Sequence, residues 1–309
     1  MRRGLFEDSS SFTKLIMLLF VMMACFLIVM LAATLLAPLI LGVSLADVMN
    51  GLSGRSEPSN LNLLRYMQSL QHIGLFIIPA FFAAYLFSGH TVRYLRLNRG
   101  LSAKWYGLMA LMMLASVPFI NLLATLNEMI VFPQSLSGLE QRLKLFEESA
   151  QQFTLLFLNV DNVGAMLFNI FMIAILPAIG EELIFRGLIQ RIIAQWTDSI
   201  HLAIVVSAFL FSLMHLQFYG FFPRWLLGIV FGYLLFWSGT LWLPIFAHFL
   251  NNAVAVLLSF LIYRGVIPES IENIGSNWAD IPVTAFATAL CAWLLWKMYR
   301  KDLIYKYKY

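Results

Sequence analysis

Eight apolar runs, each close to the length of a bilayer crossing, dominate this sequence. They fall at roughly 15–42, 71–88, 105–126, 163–187, 200–218, 222–238, 241–262 and 282–298. A hydrocarbon core of about 30 Å takes about 20 apolar residues in helical form. The runs therefore predict an all-α, polytopic membrane protein with about eight transmembrane helices. Composition agrees: 61% of residues are hydrophobic and 12% charged, against about half and a quarter in soluble domains. Nothing in the sequence points to a nucleic-acid partner. The first run is too long for a signal peptide and ends without a small-residue cleavage site, so it reads as a retained membrane helix. Cys25 and Cys291 each lie inside an apolar run and suggest neither a disulfide nor a cysteine metal site.

The connections supply the expected orientation. Arg2, Arg3 and Lys14 precede or open the first run. Arg93, Arg96, Arg99 and Lys104 lie between the second and third, Arg186 and Arg191 at the end of the fourth, and Lys297, Arg300, Lys301, Lys306 and Lys308 at the end of the chain. These are fourteen of the 20 lysines and arginines, and all fall on one side of an eight-span arrangement. The other side keeps Arg55, Arg65, Arg142, Lys144, Arg224 and Arg264. The positive-inside rule makes the first side cytoplasmic, with both termini inside and, in a bacterium, the inner membrane as location. Residues 43–70, with Gly51, Gly54 and Pro58, read as a loop. In 127–162, Leu139, Leu143 and Phe146 recur at helical spacing. They predict a short amphipathic helix on the membrane surface or on the protein's own surface. The Tyr- and Lys-rich tail, Tyr299 to Tyr309, suits an interface anchor or a free cytoplasmic end. Three regions are expected: 1–162 with three helices, a core at 163–262, and 263–309 with the last helix and tail.

Pro79, Pro118 and Pro177 interrupt runs, and the carbonyls they leave unpaired must be satisfied by neighbouring helices. Charge inside the fourth run is more demanding. Glu181, Glu182 and Arg186 sit in Ala178-Ile-Gly-Glu-Glu-Leu-Ile-Phe-Arg186, and one charge at the bilayer centre costs roughly 2.5–3.5 kcal/mol on insertion scales. Glu182 and Arg186 are four apart and can pair on one helix face. Glu181 points about 100° away and has no partner in its own helix, which marks it as a functional candidate.

Two histidines share this apolar setting. His215 follows Phe211 by four, and His248 precedes Asn252 by four, so each pair lies on one helix face. His72, His90 and His201 fall at run ends, where the interface can solvate them. A carboxylate and two imidazoles can hold and deprotonate a water, with Asn252 orienting it or donating to an oxyanion. The same Glu181, His215 and His248 can instead supply three ligands of a catalytic zinc site with an open position. Asn252 is a poor zinc ligand, so a water held without tightly bound metal is the favoured expectation. Neither His-Glu-x-x-His nor Gly-x-Ser-x-Gly occurs. By helical rise His215 lies about 22 Å beyond Ile200, too deep for a pocket near the inner surface unless residues 198–204 are interfacial, the arrangement expected here.

Glu181-Glu182-x-x-x-Arg186, Phe211-x-x-x-His215 and His248-x-x-x-Asn252 together resemble the three motifs of the CPBP intramembrane protease family. That family groups CAAX prenyl endopeptidases with bacteriocin-processing and immunity-type proteins. The resemblance covers about 165–255. It implies a membrane endopeptidase, of glutamate or metallo type, with its pocket below the cytoplasmic surface. It also implies a peptide or lipidated protein as substrate and membrane lipid as surroundings. Family roles carry over as Glu181 activating water, and His215, His248 and Asn252 holding the water or stabilising the oxyanion. Glu182, Arg186 and Phe211 would support the site. The alternatives are a catalytically silent immunity or scaffold protein that keeps the fold, and an ion-coupled transporter. No internal repeat of the transporter kind is visible.

Overall fold

The computed structural model describes residues 3–52 and 60–300. The stretch 53–59 within the expected loop, and the tail 301–309, lie outside them. The described residues form an all-helical membrane bundle: α1 (Ser11–Leu41), α2 (Leu45–Leu52), α3 (Leu61–Ser88), α4 (Ala103–Glu128), α5 (Ser137–Leu158), α6 (Val163–Thr197), α7 (Ile200–Met214), α8 (Phe221–Ser238), α9 (Trp242–Tyr263) and α10 (Ile281–Arg300). Among the described residues seven helices are long and apolar enough to span a membrane, and α7 is a further, shorter apolar helix beside them. Large apolar side chains stay exposed along α1, including Phe20, Leu27, Leu31 and Leu39, as a lipid-facing surface demands.

The region 43–70 corrects the loop expectation. It contains α2, and α3 begins ten residues before the apolar run does. Asn60 caps α3 by accepting from Leu63 N at 3.1 Å, satisfying one of the orphan donors of a helix start. Leu63 and Met67, four apart, then bury against Ala33 and Ala37 of α1. The polar residues Arg65, Gln68 and Gln71 mask this stripe in a hydropathy reading.

Two helices carry π-helical turns before their prolines: Ile73–Ile77 ahead of Pro79, and Ile170–Ile175 ahead of Pro177. Proline offers no N–H to the carbonyl four residues back and its ring crowds that carbonyl, so the ladder widens there. A third π turn, Leu183–Ile189, contains Arg186. Glycines set the helix spacing. A Cβ on Gly180 would stand 2.7 Å from Phe76 Cβ, so the absent side chain lets α6 press against the π turn of α3.

Hydrogen bonds between connections define the two ends of the bundle. At one end Arg191 Nη1 donates to Tyr94 O at 2.6 Å, Thr240 Oγ1 to Arg99 O at 2.6 Å, and Trp242 Nε1 to Leu97 O at 3.0 Å. At the other, Asn127 Nδ2 donates to Phe218 O at 3.0 Å and Phe222 N to Asn127 Oδ1 at 3.0 Å. There too Arg264 Nη1 reaches Asp161 O at 2.7 Å. Helix α5, the expected amphipathic segment, lies at this second end. Glu147 on it accepts from Gln217 Nε2 at 3.1 Å and Tyr219 N at 3.3 Å, while Leu139, Leu145 and Phe146 remain exposed.

Helix α7 starts at Ile200 itself, where Ser199 Oγ caps by accepting from Leu202 N at 3.3 Å. It stops after 15 residues, with Leu216 in the left-handed region at φ 54. Residues 200–204 are therefore helix from the outset. At 1.5 Å per residue the helix is only about 22 Å long.

Candidate functional site

Helix α6 brings both glutamates and the arginine into the bundle centre. Glu181 is 6% exposed, Glu182 0% and Arg186 1%. Arg186 Nη1 donates to Glu182 Oε1 at 2.7 Å and Nη2 to Gly228 O at 3.1 Å. The guanidinium also lies 4.5 Å from the ring centroid of Phe211 and 5.5 Å from that of Phe231, contacts that strengthen where water is excluded. Gly228 makes the room, since a Cβ there would come within 3.0 Å of Arg186 Nη2.

His248 of α9 completes this unit. Its Nδ1 lies 2.9 Å from Glu182 Oε1. An N–H donated there fixes the tautomer and leaves Nε2 as the free lone pair, the arrangement by which a carboxylate orients a working imidazole. The ring stacks on Phe231 at 5.5 Å. Nε2 faces Glu181 Oε2 at 3.8 Å. Glu182 is thus committed twice, whereas no hydrogen bond ties the Glu181 carboxylate among the described residues. Both of its oxygens face imidazoles at longer range, His248 on one side and His72 on the other.

His72 is the residue the run-end assignment missed. Because α3 begins at Leu61, His72 lies a full three turns inside the helix. Its Nε2 stands 3.5 Å from Glu181 Oε1 and is buried without a hydrogen-bond partner. Phe76 packs beside the ring at 4.6 Å. The close approach at Gly180 places this imidazole on the glutamate. The capping Asn60 and the Leu63–Met67 spacing were the signals that would have found it.

His215 ends α7, its Nδ1 3.0 Å from Phe211 O and its ring edge-on to Phe211 at 5.2 Å. Phe211 is 2% exposed and touches both histidines and the arginine. Asn252 donates through Nδ2 to Ile173 O at 3.0 Å. Ile173 is four residues before Pro177, so its carbonyl is the one the proline leaves unpaired. Asn251 Nδ2 in turn donates to Asn252 Oδ1 at 3.1 Å. Glu181, His215, His248 and Asn252 all line one cavity of about 360 Å³, together with His72 and Arg224.

The three motifs thus meet around one cavity. Residues 163–254 match the Rce1-like family model. That model is described as type II CAAX prenyl endopeptidase Rce1-like, and the matched stretch runs from the start of α6 into α9, across all three motifs. The chain is also similar to YpbD of Bacillus subtilis (strain 168), 31% identical over 93 residues, which is 28% of this chain and 43% of YpbD. The chain therefore spans less than half the length of that relative. No solved structure matches. As an all-α protein with seven or more membrane helices, the Rce1-like segment included, it is an integral membrane protein.

Zinc was the cofactor the residue types allowed. Among the described residues no group of three His, Cys, Asp or Glu side chains is arranged to hold a metal ion. Glu181, His215 and His248 as placed do not form such a cage. What the cavity offers is an uncommitted carboxylate between two imidazoles, with an amide nearby. Such a set has the chemistry to act as a general base with supporting groups.

Proposed function

We propose that this chain is an intramembrane endopeptidase that hydrolyses a peptide bond in a membrane-associated substrate with water activated by Glu181. The carrying observation is the inequality of the two adjacent glutamates. Glu182 is held by Arg186 and His248, while Glu181 lines the cavity with its lone pairs uncommitted. Glu181 takes a proton from water as the water oxygen bonds to the substrate carbonyl carbon. His248, oriented by Glu182, and His215 hold that water, and Asn252 donates to the oxyanion. The proton then passes from Glu181 to the departing amine as the C–N bond breaks. His72, on the far side of Glu181, keeps the carboxylate aimed at the cavity. The similarity of 163–254 to Rce1-like proteins supports this chemistry, and residues 163–262 form the catalytic core in this reading.

Beneath the cavity, Leu183, Ile184, Leu188 and Ile192 are at most 1% exposed, so the cavity does not continue toward the basic end in this conformation. The deciding experiment is cleavage of a membrane-peptide library by purified protein in detergent, compared with the Glu181→Ala variant. Products from the wild type alone support the proposal, and equal products from both defeat it.

A further inference from the structure

The cavity and the charge asymmetry lie at opposite ends of the bundle. The wall of the cavity most open to the outside is α5: Phe153 is 41% exposed, and Thr154 beside it is exposed too. Arg224, on the first turn of α8, lies on the same side. This is the end where Asn127 holds the turn before α8 and Arg264 reaches Asp161. The other end gathers Arg3, Arg93, Arg96, Arg99, Lys104 and Arg191 around the connections joined by Arg191 and Thr240. Between the cavity and that basic end stand the fully buried side chains of α6. The turn 215–220 is drawn inward by the shortness of α7, and α5 lies over it through Glu147. The cavity therefore communicates with the poorly basic end.

Short connections rich in Lys and Arg stay in the cytoplasm. We infer that the cavity is loaded from the non-cytoplasmic face, past α5, so that its substrate is a peptide segment presented at the outer leaflet rather than a lipidated C-terminus in the cytoplasm. This is opposite to the cytoplasmic pocket that the family resemblance implies. The substrate class rests on the proposed peptidase reading, but the side of loading does not. Aromatic side chains on the route, Phe153 and Phe157 on α5 and Phe211 and Phe231 deeper in, suit an apolar segment entering from the membrane interface. Arg224, whose Nη1 is buried without a hydrogen-bond partner, favours a segment carrying an acidic group.

The experiment starts from a Cys25→Ser, Cys291→Ser background. Single cysteines are placed by Thr154→Cys at the cavity rim, Ser137→Cys at the start of α5 and Ser102→Cys at the basic end. A membrane-impermeant charged maleimide is added to spheroplasts and to lysed membranes. Labelling of the first two variants in intact spheroplasts, and of Ser102→Cys only after lysis, is expected. Protection of Ser137→Cys until lysis overturns the orientation. Labelling of Ser137→Cys with protection of Thr154→Cys overturns loading past α5. In a second arm, right-side-out vesicles receive an external, impermeant peptide that the detergent assay has shown to be cleaved. Cleavage without lysis is expected, and cleavage that waits for lysis refutes the inference. A protein inactive in detergent defeats the peptidase reading alone and leaves the labelling result to judge the side.

Discussion

Replacing Glu182 by glutamine tests the committed half of the glutamate pair. The carboxylate is 0% exposed and accepts from Arg186 Nη1 at 2.7 Å and His248 Nδ1 at 2.9 Å. An amide keeps the shape and one acceptor oxygen but loses the charge. Hydrogen bonds to charged groups contribute about 1.5–3 kcal/mol each, and breaking a buried ion pair from one side costs about 3–5 kcal/mol. Arg186 keeps Gly228 O at 3.1 Å and the two aromatic faces, so the lower end, about 3 kcal/mol, is expected. The double variant Glu182→Gln, Arg186→Met removes the stranded cation and should lose less than the two single changes summed, because partners in one network are not additive. Equilibrium unfolding in mixed micelles with rising SDS fraction, followed by tryptophan fluorescence, measures all four proteins. A Glu182→Gln variant as stable as the wild type, or strict additivity in the double variant, would refute the account of this pair.

Glu181→Gln should fold and insert normally yet lose about 10²–10⁴-fold in turnover, the scale of a lost general base; near-normal turnover beside a folded, dead Glu182→Gln would reverse the two roles. His72→Asn should lower turnover by roughly tenfold, less than the 10²–10⁴-fold of a lost general base, while leaving the unfolding midpoint close to wild type; unchanged turnover would show that the second imidazole has no part in aiming Glu181. Elemental analysis of active protein should find no stoichiometric transition metal, and a metal whose removal abolishes and whose return restores activity would end the metal-free mechanism. Gly180→Ala should cost about 1–3 kcal/mol by overpacking against Phe76, and an unfolding midpoint equal to wild type would show that α3 and α6 do not depend on that close approach.

The spans and the cluster of chemistry were legible because both follow from local pattern. Apolar length marks helices regardless of tertiary context, and the four-residue spacings put Glu182 on Arg186 and His215 beside Phe211. Pro177 was legible in its consequence, a freed carbonyl, though not in its remedy, Asn252 from a helix 79 residues away along the chain. His72 was missed because hydropathy averages over the polar first turns of α3, whose buried stripe is only Leu63 and Met67. The π turns left no trace in periodicity, since one widened turn shifts a face without changing composition. The end of α7 was hidden for a related reason. The sequence shows a continuous apolar stretch to Leu216 and beyond, and only the left-handed backbone at Leu216 reveals where the helix ends.

The shortness of α7 reaches past the protein into the lipid around it. A helix of about 22 Å in a hydrocarbon slab of about 30 Å leaves about 8 Å that acyl chains would have to fill above the turn at 215–220. Polar atoms of Gln217, Arg224 and Glu147 occupy that zone instead, and a slab meeting such a surface thins or admits water at a cost of fractions of a kcal/mol per Å. The proposed hydrolysis needs a water supply, and such a dent in the bilayer would furnish one beside His215. Acyl-chain length would then control the proposed reaction: thicker bilayers would press lipid over the dent and dry the site, and thinner ones would keep it wet.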